Sequence, residues 1–326
     1  MKQLTILVPN GHHNLSSVVG SYEVFSKANA YYQSLGRKPV FKISLAGTVR
    51  TVKLYDSLFE VKPSTDIAAI DSTDLIIIPA VLPDFHQSIK QVDRLTAWLK
   101  DMHRQGAAVA SICTGAFLLA STGMLENRSC STHWMAADAF RKMFPSVHLG
   151  TDKLITDEDG VYTNGGAFSF LNLLLYLVEK YYDRQTAIYC SKIFQVDIDR
   201  QSQSPFTIFS TQKKHNDEVV KKAQVHMENR LGEKISMKDL SSRFNVSRRN
   251  FDRRFIKATG NTPIEYLQRA KIEAAKKALE TSRKNVNEVM YDAGYSDVKA
   301  FREVFRKITG MSPLDYRSKY NKEAAI

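Results

Sequence analysis

One cysteine, Cys113, stands where a strand-like segment turns sharply into a helix-like one. Residues 107–112 are apolar and of strand length, and 114–122 have the pattern of a helix. A thiol at such a turn faces the cleft beyond the strand, and the helix N-terminus behind it favours the thiolate through its dipole and free N–H groups. The spacing leaves two alternatives open: a reactive nucleophile, or a small buried residue that fits a tight turn.

A histidine that acts with this cysteine would make the site catalytic, because a thiolate needs a base to accept its proton and an acidic group to orient the pair. The residue after Cys113 is Thr114, and the first histidine that follows in the chain is His133, 20 residues further along. His12 and His13 invite a metal interpretation, but no acidic or Cys partner lies near them in sequence, and adjacent side chains diverge on a strand. We therefore predict a polar loop there, with no metal and no cofactor.

A second group of candidate residues is basic and lies in the last third of the chain. Residues 217–326 contain 24 Lys and Arg against 15 Asp and Glu, an excess of 9 in a chain whose net charge is +12. By itself such an excess allows a solvated surface, a membrane, an acidic protein or a nucleic acid. The spacing of the basic residues separates these alternatives.

An internal repeat divides the basic region into two similar motifs. Phe251, Phe255, Gly260 and Pro263 recur 50 residues later, together with three further matches. This is the signature of a duplicated supersecondary structure. Each copy has the pattern of two helices joined by a short turn, a helix-turn-helix. The predicted helices are 237–244 and 248–259 in the first motif, and 286–293 and 298–309 in the second.

The second helix of each motif is predicted to have one apolar and one charged face. At 100° per residue the phenylalanines share the core face, and Arg and Lys residues lie on the opposite one. Such a helix fits the major groove of DNA, where Arg donates two parallel hydrogen bonds to guanine. Asp252 and Glu303 on these faces would accept from cytosine or orient a neighbouring Arg, or they mean that one helix reads bases less and contacts phosphates more. The predicted DNA-binding residues are Arg248, Arg249, Asn250, Asp252, Arg253, Val298, Lys299, Arg302 and Glu303.

The first two thirds of the chain must position Cys113, and there strand patterns alternate with helix patterns. This order predicts an α/β sandwich with a mainly parallel, flavodoxin-like sheet, followed by an all-α domain. The predicted strands are 3–9, 40–46, 74–80, 107–112, 154–156 and 161–163, and the predicted helices are 15–29, 92–105, 114–122, 168–182 and 183–194. Ligands bind beyond the carboxyl ends of strands in such sheets. The predicted pocket residues are Pro79, Ala80, Cys113, Thr114, Gly115, His133, Gly165 and Gly166.

The segment VASICTGAFLLASTGMLENRSCSTHW resembles the nucleophile-elbow segment of the PfpI-like, class I glutamine-amidotransferase-like superfamily, and is most similar to its GlxA-type regulatory branch. The resemblance extends over residues 3–206. Catalytic members of that superfamily pair the Cys with a His and an acidic residue. By the resemblance, His133 stands where some relatives carry a His near the Cys, and the acidic position falls at Ser17. Glu23 lies on the same helix in a different register. The resemblance thus implies a non-catalytic ligand-sensing or dimerisation domain, with a cysteine hydrolase or glyoxalase-type enzyme as the alternative.

The two motifs resemble the AraC/XylS-type DNA-binding domain over residues 219–320. The matching segments are DLSSRFNVSRRNFDRRFIKATGNTPIEYLQRAKIEAAKKALE and VNEVMYDAGYSDVKAFREVFRKITGMSPLDYR. The resemblance implies a connecting helix over 263–280. It also implies that one chain reads two successive major-groove segments, about 34 Å apart, on one face of the DNA.

These observations predict a sequence-specific transcriptional regulator with three parts: a sensor or dimerisation domain over 1–200, a linker over 201–216, and a DNA-binding domain over 217–326. Its predicted partners are double-stranded promoter DNA, a small-molecule effector and a second copy of the chain through the first domain. Three sparse cysteines indicate a reducing compartment, and no segment has the pattern of a signal peptide or a membrane span. A cytoplasmic location without membrane attachment is therefore expected.

Overall fold

The structure is a computed structural model that divides into two parts, which we call the N-terminal unit (Met1–Gln203) and the C-terminal unit (Ser204–Ile326). The break between them falls inside the stretch that was expected to join two domains. The residues described are 1–11, 13–81, 85–210, 212–213 and 215–321, with backbone alone for 85–93.

A seven-stranded sheet forms the centre of the N-terminal unit. Its strand order is β10-β11-β7-β6-β1-β2-β5, and every neighbouring pair is parallel except β10 and β11. The mainly parallel flavodoxin-like sheet expected from the sequence is thus confirmed. The strands are β1 (Lys2–Val8), β2 (Phe41–Gly47), β3 (Val52–Leu54), β4 (Phe59–Val61), β5 (Thr65–Asp66), β6 (Leu75–Ile78), β7 (Ala108–Ile112), β8 (Ser129–Cys130), β9 (His148–Leu149), β10 (Ile155–Glu158) and β11 (Val161–Asn164).

The sheet has a hydrophobic core on each face, so its central strand β6 is apolar along its whole length. In β6, Leu75 and Ile77 belong to one hydrophobic core, whereas Ile76 and Ile78 belong to the other. The helices are α1 (Leu15–Ser34), α2 (Phe85–Arg104), α3 (Gly115–Ser121), α4 (Ala137–Met143), α5 (Phe170–Tyr181) and α6 (Arg184–Phe194).

Two of these helices are longer than the sequence predicts. Helix α1 continues to Ser34 rather than residue 29, and there Tyr31 stacks on Tyr189 of α6 with ring centroids 3.9 Å apart. Helix α2 begins at Phe85 rather than residue 92. Helix α4 and the strands β3, β4, β5, β8 and β9 were not predicted, since elements of two to seven residues are too short to establish a period.

The C-terminal unit is helical throughout and contains two small cores. Val220, Phe251 and Phe255 centre the first core, and Phe301 and Phe305 centre the second. None of the helices in the described ranges is both long and apolar enough to cross a membrane. The helices are α7 (Glu218–Glu228), α8 (Met237–Arg243), α9 (Arg248–Thr259), α10 (Pro263–Thr281), α11 (Val286–Asp292), α12 (Val298–Thr309) and α13 (Pro313–Tyr320).

Helix α10 connects the two motifs because its first half packs in one core and its second half in the other. Tyr266 contributes to the first core, while Ile272 and Leu279 contribute to the second. Apolar residues of the expected linker also pack on this helix. The Phe209 ring lies 5.2 Å from that of Tyr266, and Lys276 Nζ donates to the carbonyl of Thr207 at 2.6 Å.

Candidate functional site

The turn between β7 and α3 holds Cys113 in a conformation that is rare for a residue with a side chain. Its φ is +54°, in the left-handed region. Its backbone N–H donates to the carbonyl of Asn164 at 3.0 Å, and Thr132 Oγ1 donates to its carbonyl at 2.9 Å. These bonds hold the turn in place from β11 and from the segment after β8, so the sharp strand-to-helix turn expected from the sequence is present.

A glycine is required directly after this turn. A Cβ at Gly115 would lie 2.6 Å from the carbonyl oxygen of Pro79 and 2.9 Å from that of Ile78. The N-terminus of α3 therefore packs against the end of β6, backbone to backbone. Pro79 and Gly115, both predicted as pocket residues, form this close contact and do not line the cavity.

A pocket of about 400 Å³ opens beside Cys113. Four of the predicted residues line it: Ala80, Cys113, Thr114 and His133. Sequence reasoning missed most of its wall, which comes in part from α4, the short helix Trp134–Ala136 and the loop before α5, and otherwise from the start of α1, the chain after β6, β7, α3 and α5. The other lining residues are Asn14, Ser17, Val81, Ile112, Phe117, Met135, Ala136, Ala139, Met143, Ala167 and Phe170.

The two remaining predicted pocket residues, Gly165 and Gly166, lie behind the pocket rather than in its wall. A Cβ at Gly165 would lie 2.2 Å from Gln203 Nε2 and 2.5 Å from Ser131 Oγ. Gly166 has a φ of +94°, which a side chain would strain. The pair allows the chain after β11 to pass close to the buried Gln203, which donates to the carbonyl of Thr132 at 3.0 Å.

The electrostatics of the pocket favour a neutral thiol. Cys113 is 7% exposed, and its burial raises the pKa of the thiol, although nearby N–H groups of Thr114 and His133 partly oppose this. Burial also lowers the pKa of His133. His133 Nδ1 accepts a hydrogen bond from the backbone N–H of Met135 at 3.2 Å, so the neutral ring carries its proton on Nε2.

The acidic position implied by the resemblance holds a residue with a structural task. Ser17 Oγ donates to the carbonyl of Asn14 at 2.6 Å and accepts from the N–H of Ala80 at 3.2 Å, which ties α1 to the chain after β6. Glu23 is exposed on α1. Among the described residues that line the pocket there is no Asp or Glu.

The two histidines considered as metal ligands divide between described and undescribed parts of the chain. His12 lies outside the described residues. His13 is buried, and its Nδ1 is 3.2 Å from the carbonyl oxygen of Gly11. In the parts of the chain that the structure describes, three or more His, Cys, Asp or Glu residues never cluster in a way that could hold a metal ion.

The second candidate site is the outer face of α9, in the first helix-turn-helix motif. Ser247 caps the helix by accepting from the N–H of Asn250, and Phe251 and Phe255 are fully buried on the opposite side. Arg248 Nε donates to both carboxylate oxygens of Asp252, at 2.8 and 2.9 Å. The acidic residue on this face therefore orients a neighbouring Arg, one of the two roles expected for it.

Two further arginines complete the outer surface of the first motif. Arg253 donates to Asn250 Oδ1 at 3.1 Å, and Arg249 is exposed. Arg254 was not predicted. It forms a two-point ion pair with Asp217, the residue that caps α7, at 2.7 and 2.6 Å. It braces α9 against α7 and lies off the outer face.

Helix α12 of the second motif repeats this design with a different surface. Asp297 caps it by accepting from the N–H of Ala300 at 2.6 Å, and Phe301 and Phe305 are fully buried. The outer face exposes Val298, Lys299, Arg302 and Glu303. Within the described part of the chain, the three charged residues of this face form no ion pair with one another or with other side chains.

Comparisons with known proteins agree with this architecture. The DJ-1/PfpI family matches residues 6–180, more than half of the chain, and a helix-turn-helix domain matches residues 240–319. The chain is similar to the HTH-type transcriptional regulator GbdR of Pseudomonas aeruginosa, with 27% identity over 68% of this chain and 60% of GbdR, so it spans under two thirds of that relative's length. It is also similar to the HTH-type transcriptional regulator GlxA of Rhizobium meliloti, with 25% identity over 67% of this chain and 68% of GlxA.

A solved structure supports the same fold for the N-terminal unit. An AraC family transcriptional regulator from Pseudomonas putida superposes with a TM-score of 0.50 and 20% identity, covering 60% of this chain and all of that one. GbdR and GlxA are both named as HTH-type transcriptional regulators. The chain therefore belongs to the DJ-1/PfpI family and carries, after that α/β domain, a helix-turn-helix domain of the AraC type.

Proposed function

We propose that the chain is a sequence-specific DNA-binding transcriptional regulator whose N-terminal unit senses a small molecule without catalysing a reaction. The observation that carries the proposal is the duplicated pair of helices α9 and α12. Each buries two phenylalanines on one side and exposes basic residues on the other, Arg249 and Arg253 on α9, and Lys299 and Arg302 on α12. The proposed site of action is promoter DNA in the cytoplasm.

Each of the exposed side chains has a physical task in DNA binding. Arg presents a planar fork of donors that fits the O6 and N7 acceptors of guanine in the major groove. Lys and further Arg residues neutralise phosphates and release counterions, so the affinity is expected to fall linearly with salt on a logarithmic scale. Two such helices on one chain would engage two groove segments about one helical turn apart.

The experiment is selection of binding sequences from random double-stranded DNA with the full chain. We expect enrichment of a two-segment motif whose centres are about 10 base pairs apart. A matched variant, Arg249→Ala with Arg253→Ala, is expected to lose the preference in one segment and to keep it in the other. Binding without any sequence enrichment contradicts the proposal.

The pocket beside Cys113 supports the sensing part of the proposal. Its described lining residues carry no formal charge, and most of them are apolar. Pockets of this size bind small molecules, with apolar walls supplying affinity and a few polar groups supplying orientation. We propose an effector with a mainly apolar body and no strong charge, for which His133 is one hydrogen-bonding partner.

A pocket-filling variant tests this site. Ala136 lines the pocket at the end of the helix Trp134–Ala136, whereas Ala69 is exposed at the end of a similar helix, Ile67–Ala69. A compound from a metabolite panel that raises the melting temperature of the wild type is expected to lose this effect in Ala136→Leu and to keep it in Ala69→Leu, because only a ligand that binds the folded state stabilises it. An equal thermal shift in both variants would exclude this pocket as the binding site.

The enzyme alternative rests on the strained turn at Cys113 and has its own test. A nucleophilic Cys would have a lowered pKa, whereas burial raises the pKa of this thiol. We therefore expect alkylation of Cys113 by iodoacetamide to be slow at pH 7 and to accelerate only above about pH 8.5. Cys113→Ser measures the background labelling of the other two cysteines. That background should be low, because burial also raises the pKa of Cys130 to about 12 and that of Cys190 to about 11. Fast labelling of Cys113 at pH 6 would favour the enzyme.

The N-terminal unit is also proposed to join two copies of the chain. Sedimentation velocity of the full chain is expected to give the mass of a dimer. A monomer at micromolar concentration would remove this part of the proposal and leave DNA binding through the two motifs of one chain intact.

A further inference from the structure

A buried lysine lies between the two helix-turn-helix motifs. Lys271 is in the middle of α10, where the helix passes from the first core to the second, and it is 7% exposed. Its Nζ donates to the carbonyl of Glu233, just before α8 of the first motif, at 3.1 Å. It donates equally, at 3.1 Å, to the carbonyl of Gly294, in the turn between α11 and α12 of the second motif. One ammonium group thus binds both motifs.

The backbones of the two motifs approach closely around this ammonium group. Gly294 has a φ of +71°, and a Cβ on it would lie 2.5 Å from the carbonyl oxygen of Leu231 and 2.8 Å from the carbonyl carbon of Gly232. The ring of Tyr295, in the same turn, lies 5.5 Å from Lys271 Nζ. The turn of the second motif is therefore held against the segment that leads into α8.

A buried ammonium is costly unless it is hydrogen-bonded. Burial lowers the pKa of Lys271, which records the unfavourable transfer of the charge from water. Two carbonyl acceptors offset part of that cost. DNA reading by the outer faces does not use this group. The lysine restricts how the two motifs are oriented, because its donors form directional hydrogen bonds with an acceptor on each of them.

We propose that Lys271 is a positioning residue that sets the distance and rotation between the two DNA-reading helices, and so determines which separation of the two operator segments the chain accepts. The inference rests on the proposed function, in which both motifs bind one DNA. Apart from α10, the two motifs have separate cores. A shared helix alone leaves them free to bend relative to each other, whereas a bond to both adjoining loops limits that motion.

The test uses the full chain and the two-segment DNA obtained by selection. The DNA set contains the selected operator, the same operator with one base pair added or removed between its segments, and operators with one segment scrambled. Lys271→Met keeps the length of the side chain and removes its donors. We expect about a tenfold loss of affinity for the selected operator, a change below twofold for the single-segment DNAs, and a smaller penalty for altered spacing. Lys271→Arg keeps donors and is expected to restore most of the spacing preference.

Lys276 supplies the matched control. It is also a buried lysine on α10, but its Nζ binds Glu273 and the carbonyl of Thr207 and spans no pair of motifs. Lys276→Met is expected to lower stability and to leave the spacing preference unchanged. An equal change of spacing preference in both lysine variants would reduce Lys271 to a stabilising residue and overturn the proposal.

Gly294→Ala keeps the question decidable if Lys271→Met fails to fold. Its added Cβ would push the turn away from the Leu231–Gly232 backbone, so it is expected to relax the spacing preference while each motif still binds its own segment. Unchanged spacing preference in whichever of the two variants folds contradicts the proposal. A wild-type chain that enriches sequence motifs but shows no spacing preference also overturns this inference, whereas a wild-type chain that binds DNA with no sequence enrichment refutes the proposed function.

Discussion

The two helix-turn-helix motifs have similar but separate cores, and they differ on the surface proposed to face DNA. In α9, Asp252 holds Arg248 and Asn250 holds Arg253, so two of the reading arginines are already fixed on the helix. In α12, Lys299 and Arg302 are exposed, and no other described side chain forms an ion pair with them. A fixed arginine loses less side-chain entropy on binding, whereas a free one adapts to its partner. We infer that the first motif reads bases more strictly and that the second contributes more through phosphates.

The interior is the place where the largest effect is expected, and there the motifs should behave alike. Phe251 and Phe301 occupy repeat-related positions and are both fully buried. Truncation of either to Ala should cost about 3–5 kcal/mol of unfolding free energy, through lost burial and the cavity left behind. Because the cores are separate, hydrogen exchange should lose protection in α8–α9 for Phe251→Ala and in α11–α13 for Phe301→Ala.

An exposed residue on the same helix serves as the control for this pair. Ile256 is 48% exposed on α9, and Ile256→Ala should change stability by less than about 0.5 kcal/mol. If Phe301→Ala removes protection from both motifs together, the two cores form one cooperative structure. The two motifs would then differ in their outer surfaces but would not unfold independently.

The next largest effects are expected in DNA binding, where substitutions on the outer faces of α9 and α12 should act differently. Arg253→Ala and Arg302→Ala are each expected to cost about 1–3 kcal/mol of binding free energy. For Arg253 the loss should appear mainly as relaxed preference at one base position. For Arg302 it should appear more evenly across sequences, with the salt slope reduced by about one. Affinities for selected and scrambled DNA, measured over a range of salt concentrations, distinguish the two patterns; the same pattern for both arginines would remove the contrast.

The sequence predicted best those features of the fold that are determined by residues close together in the chain. The helix bounds 248–259 and 298–309 agree with α9 and α12, because caps at Ser247 and Asp297 and left-handed glycines at Gly260 and Gly310 are local signals. The parallel sheet followed from continuous apolar runs that alternate with helices. The turn at Cys113 followed from a strand pattern that ends directly in a helix pattern.

The pocket was less predictable because its wall comes from residues distant from the signals that indicated it. Met135, Ala136 and Ala139 have no chemistry that marks them, and they reach the pocket only because a short helix and α4 follow His133. Gly165 was associated with the pocket by its place after a strand, whereas its actual constraint is the close approach of Gln203. Such contacts between segments far apart in sequence leave no periodic pattern.

The smallest expected difference between the motifs is the stability that the Arg254–Asp217 ion pair gives to the first motif. Lowering the pH should reveal this difference. Arg254 of α9 pairs with Asp217, and the residue at the repeat-related position of α12 is Val304, which packs on the second core. The side chain of Asp217 is 21% exposed, so the loss of this two-point ion pair in Asp217→Asn should cost about 1 kcal/mol at pH 7. Asn remains a good helix cap, which limits the change to the ion pair.

The direction of the pH effect follows from the carboxylate. The hydrogen bonds from Arg254 hold the pKa of Asp217 below its ordinary value. The unfolded chain therefore takes up the proton first as the pH falls, so the contribution of this pair is complete above about pH 4 and is lost as the pH falls through the folded-state pKa. On acidification, hydrogen exchange in the wild type should accelerate more in α7 and α9 than in α12. In Asp217→Asn, exchange in α7 and α9 should already be faster at pH 7, and their extra sensitivity to acid should disappear. Simultaneous exposure of both motifs in the wild type would mean that the ion pair does not distinguish their stabilities.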